Sequence, residues 1–403
     1  MDKKVFFTVV VAALGYFVDV YDLLVFSIVR VASLKELGVA GEALTGTGVL
    51  LLNTQLAGML LGGVLWGVWG DKEGRLSILF GSILLYSVAN IANAFVTDIF
   101  QYAACRFLAG LGLAGEIGAG ITLVAELLPK EKRGIGTMIV ATVGVAGGMT
   151  AALVGDAFHW QTAYITGGCM GIVLLFLRLS VMESDIFRQQ AKTGCGDLRL
   201  LLTDSSRFLR YLRCILIGIP AWFIVGLIMT FSPEIGKSLN LGGEIKAAGS
   251  LLWFYGGLVL GDFASGLLSQ ALQSRKKALW IFMTGNALTI ALLLNLPAGT
   301  LPETFYLLCG ITGFFSGCWA VFLTTTTESF GTNLRATVTT SVPNFVRGGV
   351  ILLSSLFAVM KGAFGTVSSL EMIALGVFAT AGLALYFMQE TFGTDLSFAE
   401  KSG

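Results

Sequence analysis

Two aspartates, Asp19 and Asp22, stand three residues apart in "GYFVDVYDLLVFS" (15–27), inside a long apolar run. On a helix that spacing puts both acids on one face, about 4.5 Å apart along the axis. Sixteen Val, Leu, Ile and Phe residues lie between 5 and 29. They favour membrane insertion by roughly −5 to −10 kcal/mol, against roughly +5 to +7 kcal/mol for two central aspartates. The segment inserts, and the acids consume most of the margin. Acids held at such cost serve function by default and usually face a partner. The plainer alternative is a pair of interfacial acids at a frayed helix end.

Arg106 is the expected partner. Asp22 lies eight residues before Arg30, taken as the outer end of the first helix, and Arg106 lies eight residues after Asp98, the start of the fourth. Both then sit about 12 Å below the outer surface. Glu116 falls among Gly110, Gly112, Gly115, Gly118 and Gly120. The match to G-x-G-x-x-G follows no strand and lies within a span, so a dinucleotide site is rejected, and the glycines point to close helix packing. Glu116 is a second proton carrier, a substrate contact or a structural acid. In the second half Arg347 ("SVPNFVRGG") and Asp262 ("LGDFASG") lie at equal depth, and whether they pair is open. An intramembrane guanidinium is suited to receive a carboxylate, because its planar fork binds one bidentately. Tyr16, Gln55, Trp222 and Asn344 are further candidates for substrate contact, with Asn53, Trp253, Tyr255, Trp319 and Thr325 behind them; each alone is as well explained by packing. The single histidine, His159, falls in a short outer loop. The six cysteines lack metal-ligand spacing and read as packing residues.

The elements that must hold these residues follow from composition. The 403 residues are 55% hydrophobic and 13% charged, with a mean hydropathy of +0.82. Soluble domains carry about a quarter charged residues, so this is a polytopic helical membrane protein. The net charge of +1 gives no ground for a nucleic-acid partner. The first apolar run continues to Arg30 without a small-residue cleavage site and is expected to remain as the first span. Twelve helices are predicted, at about 5–29, 45–69, 76–96, 98–128, 134–156, 160–181, 211–235, 245–272, 277–297, 304–328, 336–361 and 369–389. A polar linker, 183–210, separates an N-terminal bundle (1–182) from a C-terminal one (211–403). With the N-terminus inside, Lys and Arg distribute 19 to 5 in favour of the cytoplasmic side, which places both termini in the cytoplasm.

The halves repeat. "GVWGDKEGR" (67–75) corresponds to "GLLSQALQSRKK" (266–277), and "AELLPKEKRG" (125–134) to "TESFGTNLRA" (327–336). Such repeats suggest a transporter with its site near the midplane. The first of these segments resembles the G-x-x-x-D-[RK]-x-G-R loop motif of the major facilitator superfamily, with Leu76 where a second basic residue is usual. "RFLAGLGLAGE" (106–116) resembles the family's fourth-helix motif. "AELLPKEKRG" and "MES" (182–184) resemble signatures of its sugar-porter and metabolite-symporter branches, and "DVYD" the paired first-helix acids of its aromatic-acid and metabolite proton symporters.

The resemblance covers the whole chain and implies an all-α fold of twelve transmembrane helices in two pseudo-symmetric six-helix bundles. It implies a proton switch, in which ionised Asp22 holds Arg106 and protonated Asp22 releases it. Arginine stays charged throughout. It further implies an inner gate of Asp71, Arg75, Glu126 and Arg133, with Glu328 and Arg335 from the second half. A glutamine-rich seventh helix and a glycine-proline motif in the fifth are both missing, which demotes sugar uptake and drug efflux. The expected function is secondary active, proton-coupled import of a small organic anion. No cofactor is expected beyond the coupling ion, a proton or alternatively sodium. The expected partners are the substrate and the lipid bilayer, the expected state a monomer, and the expected location a bacterial inner membrane. Competing readings are a carrier of a neutral or cationic metabolite or a sugar, an exporter, and a non-transporting sensor. No nucleophile–base set or metal cluster speaks for a membrane enzyme.

Overall fold

The computed structural model describes residues 3–73, 75–116, 130–178 and 204–393. The chain divides into two compact units, Met1–Gly196 and Asp197–Gly403. The first contains α1 (Lys3–Glu36), α2 (Ala43–Glu73), α3 (Arg75–Asn93), α4 (Ile99–Leu113), α5 (Lys130–Ala157) and α6 (Trp160–Arg178). The second contains α7 (Ser205–Phe223), a π-helical segment (Ile224–Met229), α8 (Ser232–Ser238), α9 (Ala247–Ala271), α10 (Arg275–Leu294), α11 (Pro302–Ser316), α12 (Trp319–Glu328), α13 (Thr332–Phe364) and α14 (Thr366–Tyr386). Among the described residues nine helices are long and apolar enough to cross a membrane. Three shorter apolar ones, Phe80–Asn93, Ile99–Leu113 and Val143–Ala157, take the third, fourth and fifth places. All twelve predicted spans are thereby accounted for. Large apolar side chains such as Phe100, Leu352, Val359 and Leu375 are at least 75% exposed, the surface of a protein solvated by hydrocarbon rather than water.

The two units share one packing scheme. In the first, α1 packs on α5 and α6, α2 on α4, and α3 on α4 and α6. In the second, α7 packs on α13 and α14, α9 on α11, and α10 on α11 and α14. The sequence repeat is therefore a structural one. The pairing of second with fourth helix is built alike in both, by glycine set against backbone. A Cβ on Gly110 would lie 2.0 Å from the Gln55 carbonyl oxygen, and one on Gly257 1.9 Å from that of Gly310. Only glycine permits this approach, and the close contact it gives is what holds helices together where no hydrophobic effect acts between them.

Several predicted elements need correction. The first helix runs to Glu36, not 29, so Arg30 is within α1 and fully buried rather than at an outer surface. Part of the segment assigned as linker, 205–210, is helix: Asp204 caps α7 by accepting from the Ser206 N–H at 2.8 Å. Hydrogen bonding by Arg207 holds the Asp204 carboxyl below its usual range. The seventh predicted helix is interrupted: Pro220 lies inside α7, and the π-helical turn follows it, a common pairing at functional bends. The tenth is broken at Gly317–Cys318 into α11 and α12. The fourth ends its regular course at Leu113, with a turn at 114–115. Apolar periodicity is blind to all three interruptions, because they do not change the hydropathy of the run.

Candidate transport site

In the first unit the face of α1 that carries Gly15, Asp19 and Asp22 is turned inward, and both carboxylates are 0% exposed. Asp22 reaches α6, where a Cβ on Gly167 would lie 2.1 Å from its Oδ1. It stands in electrostatic reach of Arg106 and Asp19 and interacts with Asn90 of α3, yet among the described residues neither of its oxygens closes a hydrogen bond of ordinary geometry. Arg106 donates to the Asn90 Oδ1 through Nη2 and to the Asn93 Oδ1 through Nε at 3.4 Å. Its guanidinium carbon lies 4.5 Å from the centre of the Tyr164 ring. The direct Asp22–Arg106 pair expected from depth is therefore replaced by an arrangement in which Asn90 engages both. The register explains this. Ser33 meets Tyr102 hydroxyl to hydroxyl at 3.0 Å. From that point Asp22 is about 16 Å further along α1, and Arg106 only about 6 Å further along α4. A long arginine side chain narrows that gap and an asparagine fills the rest.

Glu116 has a partner that the sequence concealed. Arg178, at the end of α6, donates to its Oε1 at 3.0 Å and its Oε2 at 2.7 Å, and Ser82 of α3 donates to Oε1 at 3.1 Å. Both charged side chains are buried. The 19-to-5 distribution of Lys and Arg takes Arg178 as a charge at a cytoplasmic helix end, but its place in "LLFLRLSVM", with apolar residues on both sides, is a signal that it lies within the bundle. Its guanidinium occupies the space where Gly15 has no side chain: a Cβ there would lie 2.3 Å from Nη2. Tyr86, fully buried on α3, stands in electrostatic reach of Glu116, Arg178, Asp22 and Asp19. Its hydroxyl closes no hydrogen bond to either cluster among the described residues. Gln55 is 1% exposed, with neither amide atom hydrogen-bonded among the described residues, and the Tyr16 ring packs against Gly144 of α5. Asn90, Asn93, Ser82 and Tyr86 were absent from the sequence candidates, although the amides of "SVANIAN", three residues apart inside a predicted span, could have flagged two of them.

In the second unit Arg347 is buried in α13, one turn after Asn344, and its guanidinium carbon lies 4.8 Å from the Trp222 ring centre. That is cation–π distance. Asp262 forms no ion pair with Arg347. Its carboxylate takes the backbone N–H of Ala320 at 3.4 Å and interacts with that of Trp319. A cavity of about 30 Å³ opens between Pro220, Ala221, Met283, Asn286, Ser316 and Trp319, with Ser316 donating to the Asn286 Oδ1 at 3.1 Å.

Of the gate candidates, Glu126 lies outside the described residues. Asp71, Arg75, Arg133 and Arg335 are placed on helices, but their side chains lie outside the description. Glu328 pairs with Arg275 at 3.3 Å and accepts from Thr391 at 2.9 Å. Glu390 completes this clasp by accepting from Ser274 and from the backbone N–H groups of Arg275, Lys276, Thr391 and Phe392. His159 is exposed between α5 and α6, beside Glu36 at 3.6 Å. Among the described residues no group of three or more His, Cys, Asp or Glu could hold a metal.

The sequence profile of the Major Facilitator Superfamily matches residues 5–355. A putative niacin/nicotinamide transporter of Bacillus subtilis is 26% identical over 385 residues, covering 91% of this chain and 92% of its own. A gentisate transporter of Corynebacterium glutamicum is 24% identical over 399 residues, covering 89% and 84%. The crystal structure of a D-xylose–proton symporter superposes with a TM-score of 0.77 at 17% identity, covering 96% of this chain and 99% of that one, and shares its fold.

Proposed function

The chain belongs to the Major Facilitator Superfamily, and we propose that within this family of transporters it is a proton-driven importer of a small organic anion, a ring carboxylate. The carrying observation is the stacking of buried Arg347 on Trp222: a cation fixed against an aromatic face offers a carboxylate a charged fork and its ring a stacking surface. The relatives support the ring, since their names specify niacin or nicotinamide and gentisate. The buried acids of α1, opposed to Arg106 through Asn90, support proton coupling.

In this reading, a proton taken up by Asp22 or Asp19 weakens the hold on Arg106. The substrate carboxylate docks on Arg347 or Arg106, the bundles rock, and the inner contacts open to release substrate and proton. The chemistry needs no bound cofactor. Uptake into proteoliposomes under an imposed pH gradient tests it, with labelled nicotinate and a hydroxybenzoate set against nicotinamide and xylose. Accumulation of the carboxylates, lost in Arg347→Ala, is expected. Preferential uptake of the neutral compounds, or carboxylate uptake undiminished in Arg347→Ala, overturns the anion assignment.

A further inference from the structure

The geometry points to Asp262 as a positioning residue in the second unit whose protonation frees the half-helix α12. The inference needs no assumption about the substrate. The break at Gly317–Cys318 starts α12 within the tenth span, where its first N–H groups have no intrahelical partner. Cys318 at the cap position supplies no side-chain bond. The cap comes instead from another helix: Asp262 of α9, at 3.4 Å from the Ala320 nitrogen and interacting with the Trp319 N–H. A carboxylate suits this place, because the amino end of a helix carries partial positive charge.

Around this contact α9 and α11 are locked together. A Cβ on Gly317 would lie 2.3 Å from the Asp262 nitrogen, and one on Gly313 1.9 Å from the Phe254 carbonyl oxygen. On the far side of the break, α12 carries Trp319 and Phe322 against the small cavity and ends at Glu328, which holds Arg275. Asp262 thus fixes the start of an element whose other end is the clasp.

The contact is poised to respond to protons because no cation among the described residues pairs with Asp262. Asp262 is the sole charged residue of α9. α9 packs against α8, the π-helical segment, α10, α11 and α12. The described charged groups of those elements stand at or near helix ends: Glu234 and Lys237, Arg275 with the two lysines that follow it, Glu303, and Glu328. The titratable side chain that does interact with Asp262 is the Cys318 thiol. A proton from water on the carboxylate leaves a neutral acid, which loses the attraction to the helix end and holds the N–H groups more weakly.

Hydrogen exchange of the peptide spanning 318–325, in lipid nanodiscs and corrected for intrinsic rate, tests this. In the wild type, protection at Trp319 and Ala320 is expected to fall about five- to ten-fold between about pH 9 and about pH 5, the loss of one cap. Asp262→Asn is expected to show the low protection at every pH, and Asp262→Glu to restore a pH-dependent profile. Should Asp262→Asn not fold, the wild-type titration stands alone: protection that does not change across that range overturns the proposal. So does an Asp262→Asn profile that tracks the wild type.

Discussion

Arg178 grips Glu116 through both carboxylate oxygens, at 3.0 and 2.7 Å, directly over Gly15 and one turn from Asp19 on the same face of α1. The first unit therefore holds two buried arginines against its acidic helix, Arg106 toward one end and Arg178 toward the other. The two are not equivalent. Arg178 is matched by a bidentate acid, whereas Arg106 is held by neutral amides and an aromatic face.

Breaking the matched pair leaves a buried charge without its counter-ion, which costs about 3–5 kcal/mol. Glu116→Ala and Arg178→Ala are each expected to destabilise the purified protein severely in thermal melts, and Arg178→Lys to restore only part of the loss, since an ammonium cannot reproduce the fork. Gly15→Ala is expected to act in the same direction, because its Cβ displaces the guanidinium. Destabilisations that simply add in the double variant would show that the two residues do not act as a pair.

Coupling is expected to fail in Asp22→Asn. A side chain that cannot exchange a proton leaves substrate exchange intact and removes accumulation against a gradient. Counterflow and gradient-driven uptake measured on the same proteoliposomes separate the two. If accumulation persists in both Asp22→Asn and Asp19→Asn, the coupling acid lies elsewhere.

Asn90→Leu tests the mediated arrangement. It removes the amide that engages both Asp22 and Arg106, and it is expected to shift the pH at which uptake is half-maximal while leaving the substrate KM within about two-fold. An unchanged pH profile with a raised KM assigns Asn90 to substrate instead.

At the substrate end, Arg347→Ala is expected to raise the carboxylate KM by about ten- to a hundred-fold, the loss of a charge-assisted contact worth about 1.5–3 kcal/mol. Trp222→Leu is expected to have a smaller effect of the same sign, because it removes the ring that orients the guanidinium. Concentration series of uptake initial rates read both.

Glu390 gives a pH prediction outside the membrane. Burial pushes its carboxyl up, but hydrogen bonds from Ser274 and from the backbone N–H groups of Phe392, Arg275 and Thr391 outweigh it and hold the folded value below the ordinary one. The stability it contributes is therefore complete above the unfolded value of about 4.3 and is lost as pH falls through the folded value. Glu390→Gln is expected to flatten that acid-side loss in melting experiments, with little change at neutral pH beyond the weaker clasp.

Composition and hydropathy alone decided the class and the number of spans, because insertion into hydrocarbon is decided segment by segment and leaves its mark in each run of residues; the repeat was legible in the matching loop segments of the two halves. The buried acids of α1 were legible for the same reason: their cost is local. Which charges meet was not. Arg178 reads as a charge at the cytoplasmic end of its helix and Arg30 as an outer end, since a single strand of sequence shows neither how far a helix continues nor which face it turns inward. The Asp22–Arg106 pair was sought by counting rises from helix ends, and it was the Ser33–Tyr102 contact that set the register and left room for Asn90. The breaks at Pro220 and at Gly317–Cys318 were hidden within unbroken apolar runs, and the second of them made Asp262 a cap for another helix rather than a partner for Arg347. Such choices depend on distances between helices, and those exist only once the chain has packed.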